Sequence, residues 1–305
     1  MIKSIKIINF REEELEVSLT SPYETGFIVQ KIEDLGPVKA DINTTASVLD
    51  GSMFNSAKLG NRNITLELAF TEENKRLESI EDLRQKSYKF FPTKKPLILQ
   101  IFSDNRQLET AGYVESNEPD IFSQKEGCKI SIICTDPYYR QVDGNRVTVF
   151  NGIEPLFEFP FENDSLTEPL IEFGEIQHRK EVSVLYEGDA DSGVLIEMHA
   201  IGRVDGINIV NTNTRAHLKI NTEKIKSITG SYINKPDTLY LDTRRGHKSL
   251  LLLRNGKFIN ILNCIEKGSD WFTVSKGNNW FAYFCDYGDE NLQFKVINDT
   301  LYEGI

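Results

Sequence analysis

The stretch from Asp34 to Leu68 constrains the fold of this chain more than any other. It begins Asp34-Leu-Gly-Pro-Val-Lys-Ala-Asp-Ile and closes with Asp50-Gly-Ser-Met-Phe-Asn-Ser-Ala-Lys-Leu-Gly-Asn-Arg-Asn-Ile-Thr-Leu-Glu-Leu. Its turn-forming Gly, Pro, Asp and Asn residues run directly into Ile64, Leu66 and Leu68, which alternate and so share one face of a strand. The expectation is a long loop that feeds a sheet. A connector of this length is uncommon in a compact domain unless it binds or assembles something.

Around it the first half reads as strands at Ile2 to Phe10, Leu15 to Leu19, Phe27 to Glu33, Ile64 to Phe70, Leu97 to Phe102, Glu109 to Val114 and Lys129 to Cys134. One helix stands among them. Thr71 is its expected N-cap, with Glu72 and Glu73 suited to the positive end of the helix dipole and Leu77, Ile80 and Leu83 forming the apolar stripe. Phe91-Pro92 ends it, because proline restricts the residue before it. The pattern fits a mainly β, barrel-like domain with one covering helix.

A chain of 305 residues exceeds what one typical core holds, which predicts two domains. The boundaries read as 1–140 for the first, 141–180 for a linker and the start of the second, and 181–305 for the second. Pro155, Pro160 and Pro169 crowd the linker too closely for a helix. Beyond it come short strands without helical period: Val182 to Tyr186, Val194 to Ile201, His217 to Ile220, Leu239 to Asp242, Ser249 to Arg254, Lys257 to Leu262, Trp280 to Cys285 and Leu292 to Ile297. Such a series reads as a β-sandwich or barrel. Asn255-Gly256 predicts a two-residue type I′ hairpin.

Charge narrows the function. The net charge is -11, spread along the chain, with 19 Lys and Arg against 23 Asp and Glu in residues 1–150 and 16 against 23 in 151–305. An acidic chain without a basic stripe argues against binding a nucleic-acid backbone. No apolar run approaches the ~20 residues of a membrane helix. The N-terminus, Met1-Ile-Lys-Ser-Ile-Lys-Ile-Ile-Asn-Phe, alternates like a strand and lacks the features of a secretory signal, so a cytoplasmic site of synthesis and retention is expected.

The sequence offers no catalytic, cofactor or metal constellation. It contains no Gly-x-Ser-x-Gly elbow, HExxH, phosphate loop or dinucleotide fingerprint. His178, His199, His217 and His247 lack metal spacing. Cys128 and Cys134 point the same way on one strand but lie roughly 20 Å apart, which favours buried free thiols there and at Cys264 and Cys285.

The motifs, taken in order, resemble those of the siphovirus tail component family, the distal tail proteins of long-tailed bacteriophages. Leu35-Gly-Pro, Asp50-Gly-Ser and Gly60-Asn-Arg-Asn-Ile-Thr-Leu are similar to the family's opening signature. Cys134-Thr-Asp-Pro-Tyr-Tyr-Arg resembles the end of its first domain. Asp242-Thr-Arg-Arg-Gly-His-Lys-Ser, Ser269-Asp-Trp-Phe-Thr-Val-Ser-Lys-Gly-Asn-Asn-Trp-Phe-Ala-Tyr and the closing Tyr302-Glu-Gly-Ile resemble its second.

The resemblance implies a structural virion protein without an active site or cofactor, with a galectin-like jelly roll as its second domain. It implies a homo-hexameric ring at the tail tip, assembled in the host cytoplasm. Its partners would be the tail tube protein, a tail-tip hub or tail-associated lysin and a receptor-binding protein, in a phage, a defective prophage or a tail-like particle. Leu35, Gly36, Pro37, Asp50, Gly51, Asn55, Gly60 and Arg62 are the subunit-interface candidates. DNA would pass an acidic bore without specific binding.

A carbohydrate-binding accessory module is the alternative, with Trp271 and Trp280 as glycan contacts. In Trp280-Phe-Ala-Tyr-Phe284, however, bulky residues fall on both faces. The expectation is a central strand packed on each side.

Overall fold

A computed structural model describes residues 1–47, 50–122, 125–149, 151–154, 175–178 and 181–305. The chain forms two compact units, Met1–Gly144 with Leu301–Ile305, and Asn145–Thr300. The last five residues thus belong with the first unit, not with the second as the sequence boundaries had it.

The first unit contains β1 (Ile2–Ile8), β2 (Glu14–Ser18), β3 (Phe27–Glu33), β4 (Ala40–Ala46), β5 (Ser52–Leu59), β6 (Arg62–Phe70), α1 (Ile80–Phe90), β7 (Pro96–Ser103), β8 (Gln107–Asp120), β9 (Gly127–Cys134) and the start of β10 (Tyr139–Val149). Its main sheet is antiparallel in the order β2-β1-β7-β8-β9-β6-β3. The long β8 serves two neighbours, β7 up to Tyr113 and β9 from Tyr113 onward. A register shift between Val114 and Ser116 bends it between them. Among the described residues no ladder joins β2 to β3, so the barrel-like domain is an open sheet rather than a closed barrel. Ile5, Ile7, Ile64, Leu66, Ile101, Ile130 and Ile132 point to the buried side, where Leu83, Phe90 and Phe91 from α1 and its end join them.

The helix starts later than its acidic residues suggested. Ser79 is the N-cap: its hydroxyl accepts from the Asp82 amide, and the Asp82 carboxylate accepts from the Ser79 amide, a reciprocal capping box. Residues 71–78 form a loop around buried Asn74, whose Oδ1 accepts from the Arg76 and Glu78 amides. Leu77 has φ of 55° and is exposed, so it is no part of the apolar stripe. The Asn74 side chain supplies the loop with the bonds a helix would have given it.

The connector is also more ordered than a loop. Residues Ala40–Ala46 pair with Ser52–Leu59 as a separate two-stranded antiparallel hairpin. Its low apolar content concealed it, since β-strands are legible mainly through the face they bury.

Within the expected linker, Asn151–Glu154 (β11) pairs with Glu175–His178 (β12), and β10 extends through Val149. Pro155, Pro160 and Pro169 lie outside the described residues.

The second unit contains β13 (Glu181–Tyr186), β14 (Val194–Ala200), β15 (Asp205–Asn211), β16 (Ala216–Ile220), α2 (Thr222–Thr229), β17 (Thr238–Asp242), β18 (Ser249–Arg254), β19 (Lys257–Asn260), β20 (Gly277–Tyr287) and most of β21 (Leu292–Tyr302). One sheet runs β19-β18-β17-β14-β21, and a four-stranded sheet runs β13-β20-β15-β16. Both contribute to one core, with Ile196, Met198, Leu239, Leu241, Leu250 and Phe294 from the first and Val184, Ile207, Ile209, Leu218, Phe281 and Tyr283 from the second. This is a β-sandwich, as the turn spacing predicted. Asn255 and Gly256 have φ of 52° and 72°, as a type I′ hairpin requires.

Three features depart from the sequence reading of this half. The strand β15 was not anticipated. The helix α2, capped by Asn221 and stopped by left-handed Gly230, lies where only strands were expected. It is too short to show a clear helical period, and its caps are its better signal. Finally, β20 is central but not packed on both faces: Phe281 and Tyr283 are buried, while Trp280 and Phe284 are 46% and 47% exposed.

Candidate functional site

The exposed hairpin β4-β5, an arm on the first unit, is the best candidate for function. Residues directly opposite in an antiparallel pair share a face. Ile42 lies opposite Ala57, Thr44 opposite Phe54 and Ala40 opposite Leu59, which makes one face largely apolar. Asp41 opposite Lys58 and Asn43 opposite Ser56 make the other polar. The ladder slips between Asn43 and Thr44, leaving Asn55 as the extra residue, with its amide donating to Thr45 Oγ1 at 2.6 Å. Despite the amphipathic pattern nothing in the chain covers the arm. Ile42, Met53 and Phe54 are 64%, 62% and 67% exposed.

The arm is held at its base by Arg62, the first residue of β6. Its side chain is 1% exposed and is enclosed by the first unit. Nη1 donates to the carbonyl oxygens of Asp34 at 2.9 Å and Gly36 at 2.6 Å, where the chain enters the arm. Nη2 donates to Pro137 O and Glu303 O, each at 2.7 Å, and Nε donates to Pro137 O at 3.1 Å. The guanidinium carbon stands 4.2 Å from the centroid of the Tyr139 ring. A planar fork with five donors suits this cluster of carbonyls where a lysine could not.

The same knot brings together motifs that lie far apart in sequence. Ile305 N–H donates to Leu35 O at 3.4 Å, and a Cβ placed on Gly304 would stand 3.3 Å from Gly36 Cα and from Pro37 Cδ. Asp136 Oδ1 accepts from the Tyr138 amide, which shapes the turn before Tyr139. Leu-Gly-Pro, Gly-Asn-Arg, Asp-Pro-Tyr-Tyr and Tyr-Glu-Gly-Ile therefore converge. Burial pushes the Tyr139 hydroxyl up to about 12, with the neighbouring guanidinium acting in the opposite direction. Cys134, beside this knot, is buried with its thiol also pushed up by desolvation.

The interface candidates divide accordingly. Asp50, Gly51 and Asn55 lie on the exposed arm, and Leu35, Gly36, Pro37 and Gly60 lie at its base. Arg62 points inward, so it positions the arm and is not itself a surface contact. Gly51 has φ of 98°, which strongly favours glycine; Gly36 and Gly60 carry no such requirement. Ile42 and Phe54, the strongest apolar positions of the arm, were not singled out from sequence. Their signal was the alternation in Ala40-Asp-Ile-Asn-Thr, which the expectation of a loop masked.

The remaining candidates separate as well. Trp271 is half-buried against the second core, with Lys248 Nζ 5.3 Å from the centroid of its ring. Trp280 stands on the outward face of β20. His199 Nδ1 is 2.9 Å from Thr238 Oγ1, and the His178 side chain lies outside the described set. Among the described residues no group of three or more His, Cys, Asp and Glu is placed to hold a metal ion, and no helix is long and apolar enough to cross a membrane. An open cleft of about 1020 Å³ between β2 and α1 is lined by Lys6, Lys75, Lys86 and Lys89, each matched by a glutamate at 2.7 to 2.8 Å.

Comparison with solved structures finds the same fold in the Dit protein of phage SPP1, described as a paradigm of the hub adsorption apparatus in phages that infect Gram-positive bacteria. The two superpose with a TM-score of 0.62 at 12% identity, over 98% of this chain and 99% of that one. Chains of the phage p2 baseplate in its activated conformation, with strontium and with calcium, are also similar. Their TM-scores are 0.49 and 0.46 at 10% identity each, over 96% and 97% of this chain and 97% and 98% of theirs. No family model matches the sequence. No curated protein matches it either.

Proposed function

We propose that the chain is a structural protein of the tail tip of a long-tailed bacteriophage or tail-like particle. Its first unit associates head to tail with copies of itself into a hexameric ring, joining the tail tube to the hub or baseplate below. The second unit lies at the periphery and carries receptor-binding or other baseplate parts. The role is architectural, so no bond is made or broken.

The arm is the observation that carries this reading. An isolated two-stranded hairpin is marginal in water, and this one exposes an apolar face. A neighbouring copy that covers Ile42 and Phe54 would stabilise it, and a heterologous contact of this kind closes into a ring when the rotation fits. Arg62 sets the direction in which the arm leaves the unit, and a shared exit angle is what every copy in a ring needs. The whole-chain likeness to the SPP1 Dit fold supports the same reading. The net charge of -11 would suit a bore through which DNA slides.

Negative-stain microscopy of the purified protein, alone and with tail tube and hub proteins, tests the proposal. Sixfold rings are expected. A strict monomer in light scattering at every concentration, with no ring on either partner, would overturn it.

A further inference from the structure

We propose that the outward face of the β13-β20-β15-β16 sheet binds a neutral saccharide chain, with Trp280 and Phe284 as its two stacking rings. Trp280, Ala282 and Phe284 alternate onto the outward face of β20, while Phe281 and Tyr283 fill the core. The rings are four residues apart on a strand, about 13 Å. That is beyond the 4.5–7 Å at which aromatic rings pair with each other. Each ring therefore offers a free flat surface, with small Ala282 between them.

The surroundings select the ligand. Asn208 lies directly opposite Phe284 on β15, and its Oδ1 is shut off from solvent without a hydrogen-bond partner. A hydroxyl arriving beside the ring would supply the missing donor. Ser183 lies opposite Trp280 on β13. The charges at the margin are matched, Lys219 with Glu266 and His217 with Asp270, each at 3.9 Å. Balanced charge gives an ionic ligand no advantage. Rings spaced along a line with amide and hydroxyl groups beside them suit a polymer whose units each have a C–H face and hydroxyl edges. A protein hot spot would instead favour contiguous packed apolar surface.

The platform is also held ready. The Trp280 amide donates to Asn213 Oδ1 at 2.7 Å, and its carbonyl accepts from the Thr212 amide at 2.8 Å. Asn213 Nδ2 donates onward to Asn278 O at 3.2 Å. Backbone fixed in this way loses little freedom on binding.

The test uses the full chain on a printed array of neutral oligosaccharides of glucose, galactose and N-acetylglucosamine, with titration of the best series. Retention by at least one series is expected, with affinity rising with oligomer length. Trp280→Ala and Phe284→Ala should each weaken it about tenfold or more, or about 1.4 kcal/mol. Trp280→Phe should keep part of the affinity. Phe258→Ala, an exposed aromatic on the other sheet, should leave it unchanged, and thermal melts should show every variant folded. No retention by the wild-type chain, or equal retention by Trp280→Ala, would overturn the proposal. So would protection of Trp280 from acrylamide quenching by a purified tail protein but by no saccharide. None of these outcomes depends on ring formation.

Discussion

The guanidinium of Arg62 lies flat enough on Tyr139 to bring its carbon within 4.2 Å of the ring centroid, while its nitrogens spread to carbonyls at both ends of the arm and at the C-terminus. One side chain thus joins the entrance of the arm, its exit, the turn before β10 and the last residues of the chain. No carboxylate is among its hydrogen-bond acceptors. The charge is held by backbone dipoles and an aromatic face, which keeps the knot independent of any partner's ionisation.

Arg62→Ala would leave the carbonyls of Asp34, Gly36, Pro137 and Glu303 without their donor. A loss of roughly 3 kcal/mol or more is expected, confined to the first unit. Arg62→Lys should recover only part of it, because an ammonium cannot reach acceptors on several sides. Chemical denaturation measures the loss, and hydrogen exchange at Ala40 and Leu59 should show the arm base opening.

Alkaline pH should weaken the first unit through Tyr139. Its hydroxyl is raised from 10.0 to about 12 in the folded state, so the native state holds the proton more tightly than the unfolded one. The contribution is complete below pH 10 and is lost as pH climbs to about 12, on the order of 2 kcal/mol in all. Cys128, raised from 9.0 to about 12, acts in the same direction from a lower starting pH. Tyr139→Phe should flatten the stability profile above pH 10. An unchanged profile would show that the hydroxyl is not desolvated.

Ile42→Asp with Phe54→Asp should leave the melting of the protein within about 0.5 kcal/mol of wild type, since both side chains are already in water. The same pair should abolish rings in negative stain. Rings that persist would show that the apolar face of the arm is not the contact.

Gly256→Val should destabilise the second unit by roughly 1–2 kcal/mol, because φ of 72° is poorly tolerated by a β-branched residue even though the space around it is open. Asn255→Gly should be nearly neutral by the same reasoning. Both tryptophans belong to the second unit, so fluorescence follows its unfolding directly.

Much of this molecule was written locally. Alternation at Ile64, Leu66 and Leu68, at Leu97, Leu99 and Ile101 and at Ile196 and Met198 identified strands, because period two is a property of each strand alone. Asn255-Gly256 announced its turn for the same reason. The helix start was legible too, in Ser79 and Asp82, but the acidic pair at Glu72 and Glu73 was the louder signal. The arm was the largest omission, since a hairpin that buries neither face within its own subunit loses the contrast by which strands are read.

The sequence by itself determined a mainly β chain with a sandwich in its second half, an acidic surface and a distinctive segment between β3 and β6. Only the tertiary structure decided what the motifs do together. Arg62 finds its backbone acceptors 26, 28, 75 and 241 residues away, distances over which no local pattern carries information. It likewise decided that Trp280 and Phe284 face water while Phe281 and Tyr283 do not. Alternation separates the two sets but cannot orient them: the side that becomes core is chosen by the opposing sheet, whose position follows from the packing of the whole unit.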